Sequence, residues 1–347
     1  MNQKFMFTIP SPADYATYFK RLTIGVFLPL LIGCEADLLT YAGKQGIKQG
    51  SLIIRSQEVE PLIADPNTPE NVRHYLKLSQ EIIQYAENEL KMNTGESYRK
   101  YIHLNRNWIT QIVIAAKKDS FSLVPFKFPI VGEVPYKGFF DEADAVREET
   151  RLKKQDLDTY RRGAPAYSSL GWFADPLYNT MFKGEAYFVE LLLHELVHLN
   201  FYFKSMADFN EAFATWFSAH VSKDFIEQSK MIKDKTKALK DLSDSAHFDQ
   251  QASKFALKAI SIAKSGYKNK EARESIFLKI NKLSNEFSEL KNYRTKTWNN
   301  ASLLALSTYY ELVPKIEAFA QHNKLTPNQL LKDLVQHEEA KALEILK

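Results

Sequence analysis

The 347-residue sequence predicts an α+β domain that is mainly helical and holds one small β-sheet. Apolar residues recur at helical spacing around residues 189–203 and through most of the chain after His220. Two earlier segments, 108–118 and 120–132, are rich in β-branched and aromatic residues, as strands are. The composition, 45% hydrophobic and 25% charged with no internal repeat, favours one globular domain over residues 34–347.

The N-terminal segment KRLTIGVFLPLLIGCEAD, residues 20–37, has the features of a secretory leader. Lys20 and Arg21 precede eleven uncharged, mostly apolar residues, a run too short to span a bilayer but typical of a signal peptide. The ending LIGC resembles a bacterial lipobox, where the leader is cut before a cysteine that carries lipid. We therefore expect residues 1–33 to be a lipoprotein signal peptide and Cys34 to be lipidated. The alternative is a buried apolar helix that contains a cysteine. A lipid would anchor the protein in the cell envelope, facing the periplasm or the extracellular side.

The next elements follow from local patterns. Residues 38–106 are expected to be mostly helical with polar faces. Segments 108–118 and 120–132 would form a hairpin, and the prolines in the second segment would confine it to a sheet edge. Residues 141–162 are strongly charged and predict a helix. Residues 163–182 combine aromatic and small side chains and predict a loop or short strand.

The segment LLLHELVHLNFYF, residues 191–203, places three titratable side chains in an apolar helix. His194 and His198 are four positions apart, so both project from one face of the helix, one turn apart. This spacing allows two imidazoles to bind one metal ion, while Glu195 lies beside them as a general base for water. The alternative is a pair of partly buried histidines that contact neighbouring polar groups. Burying three titratable groups is costly unless they are paired or metal-bound, which favours the metal site.

Glu211 is the predicted third ligand. Catalytic zinc usually takes three protein ligands and keeps a fourth position open. In ADFNEAFATWFSAHV, residues 207–221, Glu211 shares a helix face with small residues, so that this face can approach the histidine helix closely. The alternatives are that Glu211 only begins a helix, where an acid is favourable, or that Asp208 or Glu190 is the ligand. Two histidines and one glutamate are a known catalytic zinc set, so we expect Zn2+ as the cofactor.

HELVH (194–198) followed by NEAFA (210–214) resembles the zinc metallopeptidases of the gluzincin kind, in which the third ligand is a glutamate on the next helix. Over nearly all of the chain after Cys34, further stretches resemble a bacterial family described as putative zinc aminopeptidases, many of them lipoproteins: VPYKGFF (134–140), YRRGAPAYSSLGWFADPL (160–177) and NNASLLALSTYYELV (299–313). The resemblance implies a zincin-like metallopeptidase domain with a small β-sheet beside the HELVH helix. It also implies a peptide substrate, zinc on His194, His198 and Glu211, and Glu195 as general base.

Further site residues are predicted from what the reaction requires. Peptide hydrolysis needs a second electrophile for the developing oxyanion; Tyr309 is the candidate, with core packing as its alternative role. Asn210 is expected to orient Glu211. Residues 166–173, AYSSLGWF, would form an edge strand that pairs with an extended peptide. An aminopeptidase also needs an acid for the substrate's α-amine, and the sequence leaves three candidates open: Asp175, Glu185 and Glu190.

Charge and cysteine content exclude several functional classes. The net charge of +4 comes without a basic block, so no nucleic-acid partner is expected. A single cysteine allows neither an intrachain disulfide nor a cysteine-based zinc site. Three functions remain: a lipid-anchored zinc aminopeptidase, a zinc hydrolase of cell-wall peptides, and a non-catalytic lipid-anchored scaffold. The scaffold is disfavoured because all three predicted zinc ligands and the predicted base are present.

Overall fold

The computed structural model describes residues 34–128, 132–170, 173–264, 269–287 and 298–346. Contacts divide the chain into two compact units, Met1–Gly46 and Ile47–Lys347. The predicted leader, residues 1–33, lies outside the described residues, and so does the side chain of Cys34. Cleavage of the leader and lipidation of Cys34 therefore stay predictions. Within the described part, no helix combines the length and the apolar character needed to cross a membrane.

The N-terminal part is mostly helical, as the pattern over residues 38–106 predicts. Its helices are α1 (Cys34–Arg55), α2 (Val59–Ala64) and α3 (Glu70–Asn88). α3 begins after Pro69 and buries Leu76, Ile82 and Ile83 on one face. The helical prediction does not hold for two short strands, β1 (Gln57–Glu58) and β2 (Lys100–Ile102), which pair antiparallel with each other.

A three-stranded antiparallel sheet forms around β3 (Thr110–Lys117). Its outer strands are β6 (Tyr136–Phe139) and β7 (Leu157–Ala164). β3 is buried along nearly its whole length, which explains its continuous apolar sequence. The predicted hairpin partner, residues 120–132, meets β3 through an isolated bridge between Ala116 and Leu123 rather than as a full strand. Further along, β4 (Phe126–Phe128) pairs with β5 (Gly132–Val134).

Residues 141–162, predicted as one helix, divide into a helix and a strand. α4 (Glu142–Lys154) begins after Asp141, whose side chain accepts a hydrogen bond from the Ala143 backbone N–H. It ends before Asp156, whose backbone is left-handed (φ 57°). The helical prediction is wrong beyond this point, because the chain from Leu157 onward pairs with β3 over the full length of that strand. Pairing across the sheet overrides the local charge pattern.

The chain after residue 176 is mostly helical. β8 (Leu177–Tyr178) pairs parallel with β2 and leads into a short 3₁₀ turn, Asn179–Met181. The helices that follow are α5 (Glu185–His198), α6 (Ala207–Gln228), α7 (Lys235–Lys264), α8 (Lys270–Ser284), α9 (Asn300–Tyr310), α10 (Val313–His322) and α11 (Pro327–Leu346). The helical prediction after His220 is confirmed. The described residues of 166–173 contain no strand, so the predicted peptide-pairing edge strand is wrong.

α5, which carries HELVH, packs mainly among helices. α3, α6 and α7 contact it, and it buries Phe188, Leu192 and Leu196 completely. Burying each such side chain stabilises the fold by about 1.5–3 kcal/mol. The antiparallel sheet has α4 and α9 as its main neighbours, not α5. The fold is therefore α+β and mainly helical, as predicted, while the sheet expected beside the HELVH helix packs against other helices.

Candidate metal centre

α5 presents two histidines on one face. Gly184 has a φ of 145°, a conformation that favours glycine, and turns the chain into the helix. The buried apolar residues then fix the rotation of α5 about its axis. His194 and His198 consequently lie side by side, with ring centroids 5.0 Å apart and Nε2 atoms 3.3 Å apart.

Glu211 reaches the same place from α6, which packs against α5. The connection between the two helices is fixed by Asn210. Its side-chain oxygen accepts a hydrogen bond from the Phe203 N–H (3.0 Å), and its side-chain nitrogen donates to the Phe203 carbonyl (2.9 Å). The prediction that Asn210 orients Glu211 stays a prediction; the amide of Asn210 is bonded to Phe203 and shapes the turn that brings α6 to α5.

The three predicted ligand side chains converge on one point. Oε2 of Glu211 lies 3.3 Å from Nε2 of His194 and 3.8 Å from Nε2 of His198. Ligand atoms of a tetrahedral zinc ion are about 3.4 Å from one another, given metal–ligand bonds of about 2.0–2.1 Å. The side chains are well shielded, with exposed fractions of 15% for His194, 7% for His198 and 12% for Glu211. The three residues can hold a metal ion, and their spacing fits zinc.

Within the triangle formed by His194, His198 and Glu211, the charge of each group affects the pKa values of the others. Burial alone would raise the pKa of Glu211, but hydrogen bonds from His194 and His198 outweigh it and hold that pKa well below its usual range. Burial would lower the pKa of His198, but Glu211 reverses the effect and raises it. Glu211 is thus a carboxylate at neutral pH, ready to neutralise a cation. A metal ion and a proton would therefore compete for the His198 imidazole.

Glu195 lies beside the triangle and is itself buried, with 9% of its surface exposed. Burial raises the pKa of its carboxyl group; the neighbouring His194 and His198 oppose this rise, and the charge of Glu211 adds to it. Its position between the two histidines in sequence places it next to them without making it a member of the converging set. A carboxylate in such a place can accept a proton from water held at the centre.

Three tyrosines lie within reach of the Glu211 charge. The Tyr136 hydroxyl donates a hydrogen bond to Oε1 of Glu211 across 3.3 Å. Burial and then the charge of Glu211 raise the pKa of Tyr309, whose ring centre lies 5.4 Å from the Arg162 guanidinium. The same two causes raise the pKa of Tyr202 to about 12. Of these tyrosines, Tyr309 could be proposed from the sequence, whereas the one sequence signal for Tyr136 is its place in the VPYKGFF stretch.

A protein-family model described as Putative aminopeptidase matches residues 40–343. The chain belongs to this family. No curated protein and no solved structure matches the chain. The match runs through the strand that carries Tyr136, both helices of the metal centre and the helix that carries Tyr309.

In this member of the Putative aminopeptidase family, the two alternative metal-ligand carboxylates have other surroundings. Asp208 is an exposed residue in the first turn of α6. Glu190 accepts a hydrogen bond from the Ser245 hydroxyl (2.9 Å). Neither belongs to the converging set, so Glu211 is the carboxylate that the fold brings to the histidines.

In this Putative aminopeptidase family member, the three acids predicted as candidates to bind a substrate's α-amine have different partners. Glu185 lies 2.6 Å from His74 and is paired with it. Asp175 is buried and accepts hydrogen bonds within its own loop. Glu190 is one helical turn before His194 on the same face of α5. Burial raises the pKa of Glu190, and His194 counteracts this rise. Glu190 is therefore the acid that adjoins the predicted ligand His194, while the charge of Asp175 interacts with that of Glu195.

Proposed function

We propose that this protein is a zinc-dependent peptide hydrolase and acts as an aminopeptidase. Zinc is held by His194, His198 and Glu211, and Glu195 is the general base. The observation that carries the proposal is the triangle of ligand atoms, whose separations of 3.3, 3.3 and 3.8 Å match those around a tetrahedral zinc ion. Membership of the Putative aminopeptidase family supports peptide hydrolysis.

Different residues of this chain are proposed to have different roles in hydrolysis. When bound, zinc supplies a Lewis acid that polarises a carbonyl and activates water. Glu195 takes the proton from the attacking water and passes it to the leaving amine. Its burial favours this role, because a pKa raised towards the working pH lets one carboxyl group both accept and return a proton. Its place beside the ligands also keeps it close to the reacting water.

Tyr309 is proposed to donate a hydrogen bond to the oxyanion that develops on the peptide carbonyl. Its raised pKa keeps the phenol protonated, so that it remains a donor at neutral pH. The Arg162 guanidinium beside the ring adds positive charge to that side of the site. Donors of this kind act best in a shielded site, where charge–dipole interactions are stronger than in water.

The aminopeptidase assignment requires an anchor for a protonated α-amine, and Glu190 is proposed to be that anchor. A second acid, Asp249, lies near it on α7: burial and then the charge of Glu190 raise the pKa of Asp249 to about 7. Two carboxyl groups in one shielded place repel when both are ionised, and a substrate ammonium group between them would relieve that repulsion. This favours a substrate with a free amino end.

A lipid anchor on Cys34 is part of the proposal, and with it a place in the cell envelope facing the periplasm or the extracellular side. The support is the leader pattern of residues 20–34. Cys34→Ser should release the protein from the membrane fraction or leave its leader uncut. Unchanged membrane attachment together with an unchanged mature mass would contradict the anchor.

The direct test of the function is metal analysis combined with peptide cleavage. Purified protein should contain about one zinc ion per chain. It should cleave short peptides, lose that activity to a chelator and regain it with added zinc. Peptides with free and with acetylated amino ends distinguish an aminopeptidase from other peptide hydrolases. Equal cleavage rates for both kinds of peptide would contradict the aminopeptidase assignment but would still support a peptide hydrolase. If the zinc-loaded protein cleaves only cell-wall peptides, the substrate is a cell-wall peptide. If it cleaves no peptide, the result supports the non-catalytic scaffold.

A further inference from the structure

The two carboxylate oxygens of Glu211 have different partners. Oε2 faces the two histidine Nε2 atoms, at 3.3 Å from His194 and 3.8 Å from His198. Oε1 accepts the hydrogen bond from the Tyr136 hydroxyl at 3.3 Å. One oxygen is thus presented to the metal centre, and the other is occupied by a residue from the sheet.

The sheet and α9 together fix Tyr136. It is the first residue of β6, follows Pro135, and pairs with Ile114 on β3. Its ring packs in a small apolar cluster with Ile114 and with Ala301 and Ala305 of α9. The hydroxyl that donates to Glu211 is therefore held in place by the sheet and by α9.

We propose that Tyr136 is a positioning residue that restricts Glu211 to binding the metal through Oε2 alone. A carboxylate with both oxygens free can turn and bind a metal through both, which would occupy the position that a catalytic zinc keeps open for water or substrate. The hydrogen bond from Tyr136 keeps Oε1 from binding the metal and sets the direction in which Oε2 points. Hydrogen-bond partners of metal ligands act in this way in many sites. The inference rests on the proposed function, because it presumes that Glu211 is a metal ligand.

The test is the zinc affinity of the full chain, measured by competition with a chromophoric chelator. Tyr136→Phe keeps the ring and removes one oxygen atom, and it should weaken zinc binding by roughly 10–100-fold. Tyr202→Phe is the matched control. Burial and the Glu211 charge raise the pKa of Tyr202 to about 12, yet among the described residues no hydrogen bond joins it to that carboxylate. Its zinc affinity should stay close to that of the wild type. Thermal unfolding of the metal-free proteins should show that both variants are folded.

Cobalt(II) substitution gives a second readout that a purely structural role would not change. Four-coordinate cobalt absorbs visible light more strongly than cobalt with more ligands, so Tyr136→Phe should weaken the cobalt absorption per bound ion while Tyr202→Phe leaves it unchanged. Equal zinc affinities and equal cobalt spectra for the two variants would overturn the role of Tyr136 and leave the metal centre standing. If the wild type binds neither metal, the proposed function itself fails.

Discussion

Oε2 of Glu211 lies 3.3 Å from Nε2 of His194, although the two residues belong to different helices. Glu211→Gln should therefore reduce zinc content sharply, because a neutral amide is a poorer metal ligand than a carboxylate and leaves the charge of the ion less compensated. Asp208→Asn is the matched control, because that aspartate lies in the first turn of the same helix but outside the converging set. Metal analysis of both variants decides the matter. Full zinc in Glu211→Gln and loss in Asp208→Asn would transfer the ligand role to Asp208.

The local part of this site could be predicted from the sequence. His194 and His198 share a helix face through a four-residue spacing, which needs no knowledge of the rest of the chain. Glu211 could be proposed because a short connection between two apolar helices makes them neighbours. In both cases the decisive distance along the chain is small, and the chemistry of the side chains points to one use.

The parts that could not be predicted depend on contacts between distant segments. Tyr136 reaches Glu211 because β6 pairs with β3, and nothing in VPYKGFF indicates that partner. The charged sequence predicts a helix up to residue 162, but residues from Leu157 onward form a strand because pairing with β3 outweighs the local pattern. Glu185 and Glu190 could not be told apart because His74, 111 residues away, pairs with the first of them.

Asp249 should make stability depend on pH. Burial and then the charge of Glu190 raise the pKa of Asp249 from 3.8 to about 7. In this range the folded protein binds more protons than the unfolded chain, so the free energy of unfolding should fall as pH rises from about 4 to about 7, by up to about 4 kcal/mol. Asp249→Asn should flatten this dependence. Chemical denaturation of metal-free protein at several pH values measures it, and equal slopes for wild type and variant would contradict the pKa shift.

Glu190 should determine the preference for a free amino end, because it lies one turn before His194 and faces the same side of α5. Glu190→Gln should lower kcat/KM for free-amine peptides by roughly 10–100-fold, the value of one charge-assisted hydrogen bond of about 1.5–3 kcal/mol. It should leave any slow cleavage of acetylated peptides unchanged. Asp244→Asn removes an exposed acid of the neighbouring α7 and serves as control. Equal losses on both peptide types would mean that Glu190 supports the site without binding the amine.

A variant of Glu195 distinguishes an enzyme from a scaffold, because this residue adjoins the proposed metal ligands without being one of the converging set. Glu195→Gln should keep about one zinc ion per chain and the wild-type thermal midpoint, since the amide has nearly the same shape as the acid. Hydrolysis should fall by ~10²–10⁴-fold, the usual contribution of general acid–base catalysis. Peptide binding, measured by calorimetry on the zinc-loaded variant, should remain, because the proposed metal ligands are unchanged. Loss of zinc in this variant would make Glu195 a ligand. Retained hydrolysis would assign the proton transfer to another residue, and a wild type that binds peptides but never cleaves them would support the scaffold.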